Sequence, residues 1–421
     1  MSIAQKNKEL VRFTTAGSVD DGKSTLIGRL LFDSKALLED QLSHLRKASK
    51  SRGYDAMNLA LVADGLKSER EQGITIDVAH LYFSTPKRKY IIADCPGHIQ
   101  YTRNMVTGAS TANVALVLID AVRGIQEQSR RHAFIASLLQ IPHLVFCINK
   151  MDLADWSEEV YESLRAELEV FSQKLKITDI SYVPISALQG DNIVERSQNM
   201  PWYDGPTLLY YLENVHIASD TNLIDLRFPV QLVLRANQSQ ADEFRGYAGR
   251  IAGGVMRTND TVMLLPSGFE SRITEIRYGD QVVDEAFPPG SVVVRLEDDL
   301  DVDRGDMMVR KNNQPAMLQQ FDLMICWFDH KTTLSKGVKY ILRHTTNEAR
   351  CLVTEVHYKM DINTLHRIPG EQPIGMNDIA RISVKTTRPI LCDPYQKNRE
   401  TGSVILIDPV SNQTLAAGMV I

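Results

Sequence analysis

Two rhythms of apolar and polar positions divide the chain. In its earlier part, apolar runs at residues 11–16, 90–93, 112–119, 144–148 and 182–185 alternate with helically spaced segments such as 26–31 and 126–139. That alternation predicts a doubly wound, mainly parallel sheet, whose ligands belong at the carboxyl ends of its strands. Past residue 220 the helical period fades. Phe228, Val230, Leu232 and Leu234 alternate with other residues, and short runs at 262–265 and 292–296 are set off by Pro266-Ser267-Gly268 and Pro288-Pro289-Gly290. A polar break at 310–315 precedes further runs at 323–328, 338–342, 352–356, 379–384 and 404–407. Three domains are expected: an α/β domain over 1–220, an all-β barrel over 221–313 and a second all-β barrel over 314–421. Trp327 and Arg343-His344-Thr345 read as strand packing in the second barrel. In the first domain, Leu38, Leu42 and Leu45 keep helical spacing within a long insert, and 47–53 reads as a basic turn. The insert is either a lid or a solvated loop.

Composition adds limits. A chain of 421 residues exceeds the usual single core, and 43% apolar with 24% charged residues is ordinary for a globular protein. No apolar stretch approaches the roughly 18 residues needed to cross a bilayer, and the polar start Met1-Ser2-Ile3-Ala4-Gln5-Lys6 lacks a signal-peptide core. A cytoplasmic protein with no membrane partner is expected. The five cysteines show no Cys-x-x-Cys spacing and the ten histidines no metal spacing, so neither a disulfide framework nor a zinc site is expected. The net charge of −5 gives no general basic field, and no nucleic-acid partner is expected.

The candidate chemistry follows the strands. Gly17-Ser18-Val19-Asp20-Asp21-Gly22-Lys23-Ser24-Thr25 joins the run 11–16 to the helical segment 26–31, the order of strand, phosphate loop and helix. Its N–H groups would close around phosphate oxygens, Lys23 would reach the β- and γ-phosphates, and Ser24 would be a magnesium ligand. Asp94-Cys95-Pro96-Gly97-His98 ends the run 90–93. Asp94 would hold magnesium through water, and Gly97, lacking a Cβ, would bring its N–H to the γ-phosphate. Asn149-Lys150-Met151-Asp152 ends the run 144–148. The Asp152 carboxylate can accept from both the N1–H and the 2-amino group of guanine, whereas adenine offers no such donor pair, so the base is read as guanine. Lys150 would lay its stem over the ring, and Asn149 would tie this loop to the phosphate loop. Ser186-Ala187-Leu188 follows the run 182–185 and would aim a backbone N–H at guanine O6. GTP and magnesium are the expected cofactors.

A fifth element, Glu69-Arg70-Glu71-Gln72-Gly73-Ile74-Thr75-Ile76, resembles the translation-factor superfamily of GTPases. The resemblance implies that Thr75 coordinates magnesium when the γ-phosphate is present and that His98 orients the attacking water. Elongation factors of that superfamily carry His where this chain has Ser18 and Asp21. The sequence Gly-Ser-Val-Asp-Asp-Gly-Lys-Ser at 17–24 instead resembles the GTPase subunit of bacterial sulfate adenylyltransferase. So do the stretch 64–79, Gln100-Tyr101-Thr102-Arg103-Asn104-Met105 and Arg399-Glu400-Thr401-Gly402-Ser403. This second resemblance implies a separate small subunit that binds ATP and sulfate, while the present chain hydrolyses GTP and couples it to adenylyl transfer. Ile99 departs from the polar residue, often Glu, expected beside His98. Some relatives carry a fused adenylyl-sulfate kinase; no second phosphate loop occurs here, and the chain is expected to lack that domain. The rival reading is an elongation or termination factor that delivers a tRNA-like partner to the ribosome.

Overall fold

The computed structural model describes residues 9–37, 39–51, 57–62, 77–217, 221–237, 243–370 and 372–421. Two compact units divide them at residues 217 and 218, with Ile362–Leu365 joining the first. In the first unit, β1 (Leu10–Gly17), β2 (Ala79–Ser84), β3 (Lys89–Asp94), β4 (Val114–Asp120), β5 (His143–Asn149) and β6 (Asp179–Pro184) form one sheet in the order β2-β3-β1-β4-β5-β6. All neighbours are parallel except β2, which runs antiparallel to β3 at one edge. Every residue of β4 and β5 is buried, which is why their sequence is a continuous apolar run without alternation.

Among the described residues the α-helices of this unit are α1 (Lys23–Asp33), α2 (Glu39–Ser51), α3 (Thr102–Ala109), α4 (Glu127–Leu138), α5 (Glu158–Ser172) and α6 (Leu208–Asn214). α5 starts where Ser157 Oγ accepts the Val160 N–H, with Glu158 and Glu159 complementing the dipole of its first turn. Leu26, Ile27 and Leu30 of α1 pack with Phe13, Ile92 and Leu116 of the sheet in the main core. One expectation needs correction. Residues 47–51 continue α2 instead of forming a turn, because Leu45 is buried and Ser49 Oγ donates to the Leu45 carbonyl at 2.8 Å; Leu38, Arg52 and Gly53 lie outside the described residues. The strand β2 was not anticipated from the sequence: its burial alternates, but the exposed aromatic Tyr82 interrupts the polar face that alternation would show.

The second unit holds two seven-stranded antiparallel sheets. The first runs through Thr261–Leu265, Met307–Val309, Arg227–Asn237, Glu243–Arg250, Ser291–Leu296, Glu270–Tyr278 and Gln281–Val283. Thr261–Leu265 also pairs with Glu270–Tyr278, which closes it into a barrel. The second runs through Lys339–His344, Ser403–Ile407, Thr414–Val420, Ala316–Trp327, Ile379–Cys392, Asn347–Met360 and Arg367–Pro369, and Lys339–His344 pairing with Asn347–Met360 closes it likewise. Trp327 and His344 are buried strand residues.

Bulges explain where alternation misleads. Between Val230 and Leu232 the pairing slips by one residue, so Leu232 is exposed although Phe228 and Val230 are buried. The strands expected at 323–328, 352–356 and 379–384 run on as Ala316–Trp327, Asn347–Met360 and Ile379–Cys392, with irregular pairing at Leu318/Gln320, Val353/Glu355 and Val356/Tyr358. A fully buried ion pair ties the two barrels together. Arg227 donates from Nε and Nη2 to the two oxygens of Asp393 at 2.7 and 2.9 Å, and Thr401 Oγ1 donates to the same carboxylate at 2.7 Å. Burial pushes the Asp393 carboxyl up, but these bonds outweigh it and hold the group below the usual carboxylate range.

All five cysteines are buried and none is in a disulfide. Burial pushes the thiols of Cys95, Cys147, Cys351 and Cys392 up to about 12. No helix among the described residues is long and apolar enough to cross a membrane.

Candidate nucleotide-binding site

The site is built at the carboxyl ends of β1, β3, β5 and the segment after β6. β1 ends at Gly17, whose φ of 142° lies where side chains are strained and whose Cβ would stand 2.9 Å from the Leu118 carbonyl. The loop then turns through half-buried Ser18 and Val19 and exposed Asp20 into Gly22, at φ 93°, which caps α1. A Cβ on Gly22 would collide with Asn149 Nδ2. Lys23 opens α1 and its Nζ donates to the carbonyls of Gly17 at 3.1 Å and Ser18 at 2.7 Å. Burial lowers the Lys23 pKa, opposed by the carboxylates of Asp94 and Asp21. Ser24 and Thr25 follow in the first turn, half-buried.

Asp94 ends β3 in register with Thr15, whose hydroxyl donates to Asp94 Oδ1 at 2.9 Å. Cys95 and Pro96 are buried beside it, with Cys95 Sγ 3.0 Å from Thr14 Oγ1. Gly97 sits against the phosphate loop. A Cβ there would collide with Lys23 Nζ and lie 2.8 Å from the Gly17 carbonyl, so only glycine allows the approach. His98 is half-buried; its Nδ1 accepts the Gln100 N–H at 3.3 Å and its ring lies 5.9 Å from that of Tyr101. Thr75, with the rest of 69–76, lies outside the described residues.

Asn149 joins three segments. Its Nδ2 donates to the Asp21 carbonyl at 2.7 Å and its Oδ1 accepts the Ala187 N–H at 2.9 Å. Lys150 adopts φ 64° and its Nζ reaches Asp120 Oδ2 at 2.7 Å. Burial pushes Asp120 up, but Lys150 and the N–H groups of Arg123 and Val122 hold it below the usual range. Met151 is buried, and its N–H donates to the Ile185 carbonyl. Ser186 Oγ donates to Asp152 Oδ1 at 2.6 Å, which fixes the carboxylate beside the Ser186-Ala187-Leu188 turn. Arg29 of α1 holds that turn from the other side, donating to the carbonyls of Ala187 at 3.3 Å and of the exposed Leu188.

The described motif residues thus converge, and residues outside every motif support them, among them Thr15, Arg29, Asp120, Ser129 and His132. One signal was available for Asp120. It ends an all-apolar strand, as Asp94 and Asn149 do, and pairs in register with Asn149. No group of three metal-ligating His, Cys, Asp or Glu side chains occurs among the described residues. The hard oxygen donors Ser24 and Asp94 still suit magnesium, which keeps several waters and takes only one or two protein ligands beside phosphate.

The sequence profile of the elongation factor Tu GTP binding domain matches residues 8–228, and that of the GTP-eEF1A C-terminal domain-like family matches 320–421. The bifunctional enzyme CysN/CysC of Mycobacterium tuberculosis is 54% identical over 98% of this chain and 67% of its own length. Sulfate adenylyltransferase subunit 1 of Bacteroides thetaiotaomicron is 49% identical over 99% of this chain and 87% of its own. Among solved structures, the GTP-bound Ski7 GTPase-like domain of S. cerevisiae aligns with a TM-score of 0.54 at 19% identity, covering 100% of this chain and 99% of that one, a likeness of fold alone.

Proposed function

The chain belongs to the sulfate adenylyltransferase subunit 1 family of elongation-factor-Tu-type GTPases, and on that premise we propose that it is the GTP-hydrolysing subunit of sulfate adenylyltransferase. The observation that carries this is identity of 49–54% over nearly the whole chain to proteins of that name and to CysN/CysC enzymes. A partner subunit binds ATP and sulfate and forms adenylyl sulfate and pyrophosphate; GTP hydrolysis on this chain drives that unfavourable transfer. The work belongs to cytoplasmic sulfate assimilation. The three-domain division at residues 220 and 313 is part of the same reading.

In the site, backbone N–H groups between Val19 and Ser24 receive the phosphates, and Lys23 leaves its carbonyl partners for the β- and γ-phosphates. Gly97 stands close enough to the loop to offer its N–H to the terminal phosphate. His98 orients the attacking water, and Thr75 would supply its hydroxyl as a ligand to the metal when the γ-phosphate is present. Magnesium, held by Ser24 and Thr75 and through water by Asp94, would neutralise charge on the phosphates. Asp152 reads guanine, with Ser186 and Asn149 fixing the loops that frame it.

Mixing the chain with its purified partner tests the reading. GTP turnover is expected to rise when ATP and sulfate are both present, with adenylyl sulfate accumulating beyond its level without GTP. The chain alone is expected to make none. Turnover indifferent to partner, ATP and sulfate but stimulated by ribosomes would return the chain to a translation-factor role.

A further inference from the structure

The helix α4 touches the phosphate loop although no motif lies on it. His132 is fully buried, and its Nδ1 accepts the Gly17 N–H at 2.9 Å. A ring nitrogen that accepts carries no hydrogen, so the neutral imidazole has its hydrogen on Nε2, and the Gln128 amide 3.0 Å away accepts it with its oxygen turned toward the ring. One turn earlier, Ser129 Oγ donates to Asp21 Oδ2 at 3.3 Å, and the same oxygen accepts the Ser18 N–H at 2.6 Å. α4 therefore holds the loop at its first residue and, through Asp21, at its fifth.

We propose that His132 is a positioning residue of the nucleotide site: by accepting the Gly17 N–H, it holds the start of the phosphate loop in the shape that receives phosphate. The inference rests on the guanine-nucleotide reading above. His132 needs no contact with nucleotide to act. A loop that spends only a fraction of its time in the receptive shape binds with an affinity reduced by that fraction. Without the imidazole, the Gly17 N–H is left buried without an acceptor, a state that favours other loop conformations. The choice of imidazole also fits its surroundings. Burial, with Lys23 and Arg131 nearby, lowers the His132 pKa to about 3, so the ring stays an acceptor across the working range of pH.

His132→Leu keeps the volume and removes the acceptor. His132→Asn places an amide oxygen where Nδ1 stands, whereas His132→Gln carries its oxygen further out. Full-length proteins would be compared by release of a fluorescent GDP analogue and by GTP affinity, with melting in the absence of nucleotide checking the fold. His132→Leu is expected to lose about tenfold in affinity, the scale of one buried hydrogen bond, mostly as faster release. His132→Asn is expected to recover most of it, and preference for GTP over xanthosine triphosphate is expected to stay unchanged in both. If His132→Leu does not fold, the same gap between His132→Asn and His132→Gln carries the test. Equal affinities across the foldable variants, or loss of base preference along with affinity, would overturn the positioning role. A wild-type chain that bound no guanine nucleotide would instead overturn the reading on which it rests.

Discussion

Asp152 has one carboxylate oxygen engaged by Ser186, which sets the plane of the group before any base arrives. Asp152→Asn presents a donor where guanine needs an acceptor, and it is expected to move preference from GTP toward xanthosine triphosphate. Discrimination built on such buried partners reaches about 10⁴, and competition binding measures it. Unchanged GTP preference would remove Asp152 as base reader. His98 and Lys23 separate two further roles. His98→Ala is expected to leave GTP affinity nearly unchanged while turnover falls by about 10² or more, since a group that orients water acts mainly in the transition state. Lys23→Ala is expected to lower both, because the Lys23 charge meets the phosphates in the bound state as well as in the transition state. Single-turnover hydrolysis beside equilibrium binding distinguishes the two; parallel losses at His98 would mark it as structural.

At the scale of elements, the four described motifs were legible because each is a short polar string at the end of an apolar strand, and a parallel sheet brings such ends to one edge. The supports were not legible. Ser129 and His132 lie on α4 at ordinary helical spacing, and nothing in that spacing shows that β1 ends against them. Barrel strands were legible where alternation persists and were lost at bulges, where one extra residue reverses which face is buried, as at Leu232. The tie between the barrels was invisible for another reason: Arg227 and Asp393 are far apart in sequence and neither sits in a motif. Arg227→Met leaves a buried carboxylate uncompensated and is expected to cost about 3–5 kcal/mol in urea unfolding, with much of it regained in Arg227→Met, Asp393→Leu. Because the folded Asp393 lies below its unfolded value, its contribution is fully present above about pH 4 and fades as pH falls through the folded value. The cost of Arg227→Met is therefore expected to shrink in acid; a cost independent of pH would mean that the pair contributes packing alone.

For the whole molecule, the composition limited the class of protein and the motifs supplied the nucleotide, but the partner subunit came from resemblance. A docking surface has no fixed spacing, so no residue string announces it. A different whole-molecule property follows from the five buried cysteines. Thiolates, not thiols, attack disulfide reagents; all five cysteines are at most 3% exposed, and the four whose pKa burial pushes up to about 12 are almost entirely thiol at neutral pH. Ellman's reagent is expected to find no fast-reacting thiol in the native protein and all five after denaturation. Fast reaction of any of them before unfolding would contradict that burial. The wild-type chain is thus a silent background for chemical labelling. A single cysteine introduced at an exposed position such as Val410, which is 90% exposed, would carry a spin label or dye with no native cysteine to remove first.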